Sequence, residues 1–126
     1  MPREPFQYAA IRLVPVLERE EFINVGVIVY CRRRAFLTAR VCDDPSRVIA
    51  FAPTLDQRQI SEALRAIVRI ADGDSDAGPV AALPQSERFH WLVAPSSTVI
   101  QTSPAHSGLC EDPEAVVEHL FERLVA

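Results

Sequence analysis

Residues 21–31, Glu21-Phe22-Ile23-Asn24-Val25-Gly26-Val27-Ile28-Val29-Tyr30-Cys31, decide the fold. The run is rich in the β-branched and aromatic side chains that suit a pleated, half-buried surface. It is too short for a membrane-spanning helix, which needs roughly 20 apolar residues. Read at a strand's period of two, one face carries Ile23, Val25, Val27, Val29 and Cys31. The other carries Phe22, Asn24, Gly26, Ile28 and Tyr30, where an amide and a glycine interrupt the apolar row. This is the pattern of a central strand in an antiparallel sheet, paired on both sides and covered by helices.

Working outward, Tyr8 to Val16 reads as the preceding strand, after a loose lead-in over residues 1–6. It places Ala9, Ile11 and Leu13 on one face and Tyr8, Ala10, Arg12 and Val14 on the other. Pro15 ends it or marks it as an edge strand, since proline cannot donate to a ladder. Leu17-Glu18-Arg19-Glu20 is the polar turn of a hairpin. Arg32-Arg33-Arg34 reads as a solvated turn, with an anion or nucleic-acid contact as the alternative, and Ala35 to Cys42 as a third strand.

The pattern then changes to helix. Asp44 is an N-cap with Pro45 at the first helical position, so a short helix runs to about Phe51. Thr54 with Gln57 reads as a capping box ahead of a long helix. That helix has Ile60, Ala63, Leu64, Ile67, Ile70 and Ala71 along one side and Arg58, Glu62, Arg65 and Arg69 largely opposite. Residues 72–79 form a flexible acidic loop without the full spacing of a calcium loop. Phe89, Trp91 and Val93 alternate with His90, Leu92 and Ala94, so a strand is expected there, followed by a short one over Ser97 to Thr102 and a loop from Ser103 to Gly108. Asp112-Pro113-Glu114 caps a last helix with Val116, Val117, Leu120, Phe121 and Leu124 on its buried stripe.

At 126 residues, 48% of them hydrophobic and 24% charged, the chain reads as one domain over residues 1–126 with one core. A net charge of −4 argues against nucleic-acid binding driven by overall charge. All 13 basic residues are arginine, which excludes chemistry that needs a lysine Schiff base or a P-loop lysine. It also lowers the weight of any single arginine, because a total exclusion of lysine resembles coding bias. Cys31, Cys42 and Cys110 form no C-x-x-C pair, and there is no secretory start, so a cytoplasmic protein with reduced thiols and no membrane association is expected. Cys31 and Cys42 would approach if the second and third strands pair as a hairpin.

Two clusters carry candidate chemistry. If the first turn centres on residues 17–20, Arg12 faces Asn24 and Gly26 across the hairpin, with Glu21 at the mouth. A cation, an amide and a glycine on one face can grip a carboxylate or phosphate, or dock a partner's backbone. The structural alternative is an Arg12–Glu21 pair on a solvated face, with Gly26 marking a bulge. The second cluster, Ser96, Ser97, Thr98, Gln101, His106, Ser107 and Cys110, includes a hydroxyl and an imidazole but no G-x-S-x-G elbow. His90, His106 and His119 are dispersed, so no metal and no other cofactor is expected.

Tyr8-x-x-x-Arg12-x-x-Pro15 followed by Glu21-Phe22-x-Asn24-Val25-Gly26-Val27 resembles the opening of an uncharacterised bacterial domain-of-unknown-function family. Ala94-Pro95-x-Ser97-Thr98-Val99, Gln101, His106-x-Gly108-Leu109 and Asp112-Pro113-Glu114 resemble its later part. The resemblance implies a place beside kinases resembling the HipA toxin, and hence a protein partner. It singles out Arg12, Glu21, Asn24, Gly26 and His106.

The expected fold is α+β: a mostly antiparallel sheet of about four to five strands packed by the long central helix and the C-terminal helix. The expected function is that of a small, non-catalytic partner-binding protein anchored at Arg12, Glu21, Asn24 and Gly26. The alternative is a small hydrolase or phosphate-ligand enzyme with His106 as base and Arg12 as anion holder. An unpaired edge strand would also allow a homodimer.

Overall fold

The computed structural model describes residues 2–96 and 98–125. Five strands and four helices follow one another as β1 (Glu4–Leu13), β2 (Ile23–Cys31), β3 (Phe36–Val41), α1 (Pro45–Phe51), α2 (Gln57–Asp72), α3 (Gln85–Leu92), β4 (Ile100–Thr102), β5 (His106–Cys110) and α4 (Pro113–Leu124). The class is α+β, as the hydrophobic periodicity requires. The strands lie in the order β3-β2-β1-β4, all antiparallel, and β5 also pairs with β1. β4 holds the second half of β1 and β5 the first. The break between them is closed by Ser103, whose hydroxyl accepts from the Ala10 N–H at 2.9 Å while its own N–H donates to the Ala10 carbonyl at 2.8 Å.

Both connections flanking β2 use one device. A 3-10 turn, Leu17–Arg19 or Arg32–Arg34, ends in a left-handed residue, Glu20 at φ 57° or Ala35 at φ 50°. Arg33 of the triple-arginine turn reaches Glu4 at 3.7 Å and Arg34 the Pro2 carbonyl at 3.5 Å. Cys31 opposes Phe36 at the turn end of the β2–β3 hairpin, whereas Cys42 follows its far end, so these two thiols are apart. Cys31 and Cys110 are buried and Cys42 half-buried. Desolvation first, and then the nearby Cys31, push the Cys110 thiol up, which keeps it protonated.

The sheet has a core on each face. On one side Ile11, Leu13, Val25, Ile28 and Tyr30 pack against Ile60, Leu64 and Ile70 of α2 and Phe89 and Leu92 of α3, with the Tyr30 and Phe89 rings stacked at 5.0 Å. On the other Val27 and Val29 pack under α4 through Val117, with Leu120, Phe121 and Leu124 alongside. The simple alternation expected along β2 fails in its middle. Ile11 opposes Gly26 but Arg12 opposes Asn24, so Val25 is an extra residue, a β-bulge. Beyond it the phase inverts: Val25 joins the face of Ile28 and Tyr30, not that of Val27 and Val29.

Several boundaries differ from the sequence reading for identifiable reasons. α1 and α4 begin where their Asp-Pro pairs place them: Asp44 accepts from Ser46 N–H at 3.0 Å and Asp112 from Glu114 N–H at 3.1 Å. The long helix is capped by Asp56, not Thr54, with Arg58 and Gln59 N–H groups on its carboxylate. Gln57 instead donates to the Ala52 and Leu55 carbonyls. Phe89 to Leu92 is the end of helix α3, not a strand. Phe89 and Leu92, three apart, face the core while Trp91 is 52% exposed. His106 to Gly108, expected as loop, is strand. A Cβ on Gly108 would stand 2.7 Å from the Phe6 ring, its direct partner on β1, so the aromatic fills the side-chain space that glycine leaves. Residues 72–79 run through 3-10 turns, with Asp74 accepting from Arg69 at 2.9 Å and from Asp76 N–H at 3.0 Å. The expected start of β4 at Ser97 lies outside the described residues.

Gly26 tolerates no side chain. A Cβ there would lie 2.8 Å from the Arg40 carbonyl oxygen, a backbone atom, and 2.8 Å from Ile11 Cδ1. Gly26→Ala is expected to lower the unfolding free energy by about 1–3 kcal/mol, the usual cost of overpacking, measured as a shifted urea midpoint. A second expectation concerns acid. The Ser46 hydroxyl and N–H hold the Asp44 carboxyl below the usual range, and the Arg69 guanidinium with Asp76 N–H does the same for Asp74. A lowered folded-state pKa contributes stability that is present above the unfolded value, about 3.9, and is lost as pH falls through the folded one. Thermal midpoints should therefore hold down to about pH 5 and fall below about pH 4. Asp44→Asn, which keeps a capping acceptor, should flatten part of that fall.

Candidate functional site

The inverted phase of β2 has a consequence on the α4 side of the sheet. Arg12 lies between Asn24 on β2 and Gln101 on β4, its direct partners across the ladder, so three polar side chains form a row over three strands. α4 does not reach them. Arg12 instead places its guanidinium 4.1 Å from the centre of the Phe22 ring, a cation–π contact that fixes its plane. Around it opens a cleft of about 530 Å³ lined by Arg12, Val14, Leu17, Glu20, Phe22, Ser96 and Gln101.

The hydrogen bonding of this corner is incomplete. Arg12 Nε and Asn24 Oδ1 are shut off from solvent with no partner among the described residues. Each such group costs about 1–3 kcal/mol relative to a satisfied one. Gln101 is held from the other side, its Nε2 donating to the Thr98 carbonyl at 2.8 Å. The Thr98 hydroxyl in turn donates to the Ile100 carbonyl at 2.6 Å and meets Ser96 Oγ at 2.9 Å. The hydrogen bonds of Thr98, just ahead of β4, thus tie Ser96 and the β4 residue Gln101 to the cleft wall.

The five residues singled out from sequence are not all together. Arg12 and Asn24 are direct partners. Gly26 is buried and opposes Ile11, next to the bulge at Val25 that brings Asn24 to Arg12. Glu21 is exposed and paired with Arg19, which accounts for its lowered pKa, so the Arg12–Glu21 pair is not formed. Its neighbour Glu20, turned by its left-handed conformation, is the acid on the cleft. His106 begins β5 opposite Tyr8, with the two rings 5.3 Å apart. It shares Arg12's sheet face but stands four residues along β1, about 13 Å at roughly 3.3 Å per residue, and does not line the cleft. Sequence reading missed Glu20, Phe22 and Leu17 as site residues, and it grouped Gln101 with His106 where the structure sets it beside Arg12. The first three depend on the shape of the β1–β2 connection, and Gln101 on a pairing about ninety residues distant in sequence. No group of three or more His, Cys, Asp or Glu among the described residues is arranged to hold a metal. No helix among them is long and apolar enough to cross a membrane.

With Asn24 Oδ1 unpartnered, Asn24→Val should raise the unfolding free energy by roughly 1 kcal/mol, since it removes a stranded acceptor from a strand position. A destabilised Asn24→Val protein in urea melts would show that the amide is satisfied.

No curated protein and no solved structure matches the chain. One family model, described as "Protein of unknown function (DUF3037)", matches residues 8–125, from the first residue of the Tyr8 motif to the end of α4. The chain therefore belongs to the DUF3037 family, an uncharacterised domain-of-unknown-function family.

Proposed function

We propose that this chain is a small, single-domain, non-catalytic protein of the cytoplasm that binds a protein partner through the open corner of its sheet. The observation that carries the reading is the β1–β2 connection. Val16, Leu17 and Phe22 are 45%, 42% and 42% exposed there, beside a guanidinium already stripped of some of its water. Interface hot spots combine these elements: an apolar or aromatic anchor, an arginine, and polar groups that gain partners only on docking. The partner that the family resemblance implies is a kinase resembling HipA. No observation favours the hydrolase reading, because His106 packs on Tyr8 away from the cleft.

Tagged wild-type and Leu17→Asp proteins, used side by side in pull-downs from native lysate, test the reading. Leu17 is an exposed turn residue, so the variant should keep its thermal midpoint. The expected result is one stoichiometric partner with the wild type and none with Leu17→Asp. A partner retained by the variant would move the interface elsewhere, and no partner in either sample would overturn the proposal.

A further inference from the structure

Arg12 and Glu20 line one cleft, yet no ion pair joins them, and neither has a charged partner among the described residues. Opposite charges that share a cleft and remain more than 4.0 Å apart leave room for something between them. We propose that this cleft binds a free α-amino acid with an apolar side chain. This goes beyond partner docking and does not rest on it.

The chemistry of the lining selects the zwitterion. A simple anion would satisfy Arg12 but meet Glu20, in a chain whose net charge is already −4. A simple cation would satisfy Glu20 and meet Arg12. A neutral peptide group would leave both charges unmatched. An α-amino acid carries a carboxylate and an ammonium on one carbon and matches both. Its carboxylate takes two N–H donors from the Arg12 fork, which Phe22 already holds in one plane. Its ammonium has three N–H donors, of which Glu20 accepts one. Gln101 offers another acceptor: its Nε2 is committed to the Thr98 carbonyl, leaving Oε1 without a partner among the described residues. Val14, Leu17 and Phe22 supply the wall for an apolar side chain. A volume of about 530 Å³ suits a small ligand with room at the mouth.

Isothermal titration of the full chain with L-leucine and L-phenylalanine tests this, with L-leucinamide and N-acetyl-L-leucine as probes that lack one charge each. Saturable binding of the free amino acids is expected, with each single-charge analogue weaker by about tenfold or more, the scale of one lost charged hydrogen bond. Arg12→Gln and Glu20→Gln should each cost a similar factor. Glu20→Gln, on an exposed turn, is the variant whose fold is secure. No heat with either amino acid, or equal binding of the analogues, would overturn the proposal. Tighter binding of N-acetyl-L-leucinamide would show a peptide-group site in its place. None of these outcomes bears on the Leu17→Asp pull-down, which is run without added amino acid.

Discussion

The structure depends on one backbone constraint, the bulge at Val25–Gly26. With the Arg40 carbonyl and Ile11 crowding the space above Gly26, β2 cannot carry a side chain there. The strand accommodates an extra residue and turns its remaining positions over. The inversion serves both faces at once. It sends Val25 and Ile23 toward α2 and α3, where Ile11 and Leu13 need cover. It also sends Asn24 to the side of Arg12. Without the bulge, unbroken alternation would put Val25 beside Arg12 and an amide into the larger core, where a polar group without partners costs about 1–3 kcal/mol. The bulge thus keeps the amide out of the larger core and assembles the polar row.

The second constraint is on the opposite side of β1. A strand flanked by β2 needs cover along its other edge, and no single strand supplies it, because β4 and β5 are out of register by one residue. Ser103 resolves the mismatch by accepting from the Ala10 N–H with its hydroxyl and donating its own N–H to the Ala10 carbonyl. Backbone groups of a buried residue are satisfied, as they must be. The contrast with Arg12 and Asn24 is instructive. Two residues away from a closed accounting, a guanidinium nitrogen and an amide oxygen go without partners. In a molecule whose net stability is only about 5–15 kcal/mol, two such gaps are a large fraction of the margin.

How much of this was legible in the sequence follows the range of each interaction. Asp44-Pro45 and Asp112-Pro113 are complete local signals, and both helices start where those residues say. The amphipathic stripe of α2 is likewise local. Three elements were misread because their decisive contacts are distant. Phe89–Leu92 is too short for period two and period 3.6 to be told apart until Tyr30 stacks on Phe89. His106-Ser107-Gly108 looks like a loop until Phe6 covers the glycine. The N-terminal residues look unstructured until Cys110 and Leu109 pair with Glu4 and Pro5. In the site, Arg12 opposite Asn24 was legible from turn position alone, although the alternation used to reach it fails at the bulge. Glu20 against Glu21 was not: which of two adjacent acids enters the cleft is set by a single positive φ.

The location of the open corner follows from a helix too short to cover a sheet. α4 begins beyond Cys110, which pairs with Glu4 at the start of β1, and ends where Arg47 donates to the Val125 carbonyl near the end of β3. Twelve residues span about 18 Å, enough to cross the face diagonally and no more. Along that line lie Val27, Val29 and Phe6, and Phe121 carries Arg40 over its ring at 4.2 Å. The corner left bare is the one diagonal to β3, where the end of β1 meets β4, and there the outward positions are Arg12 and Gln101. A longer α4 or an apolar residue at position 12 would have closed the layer. The chain instead leaves a charged position uncovered on the sheet, with the β1–β2 connection folded around it.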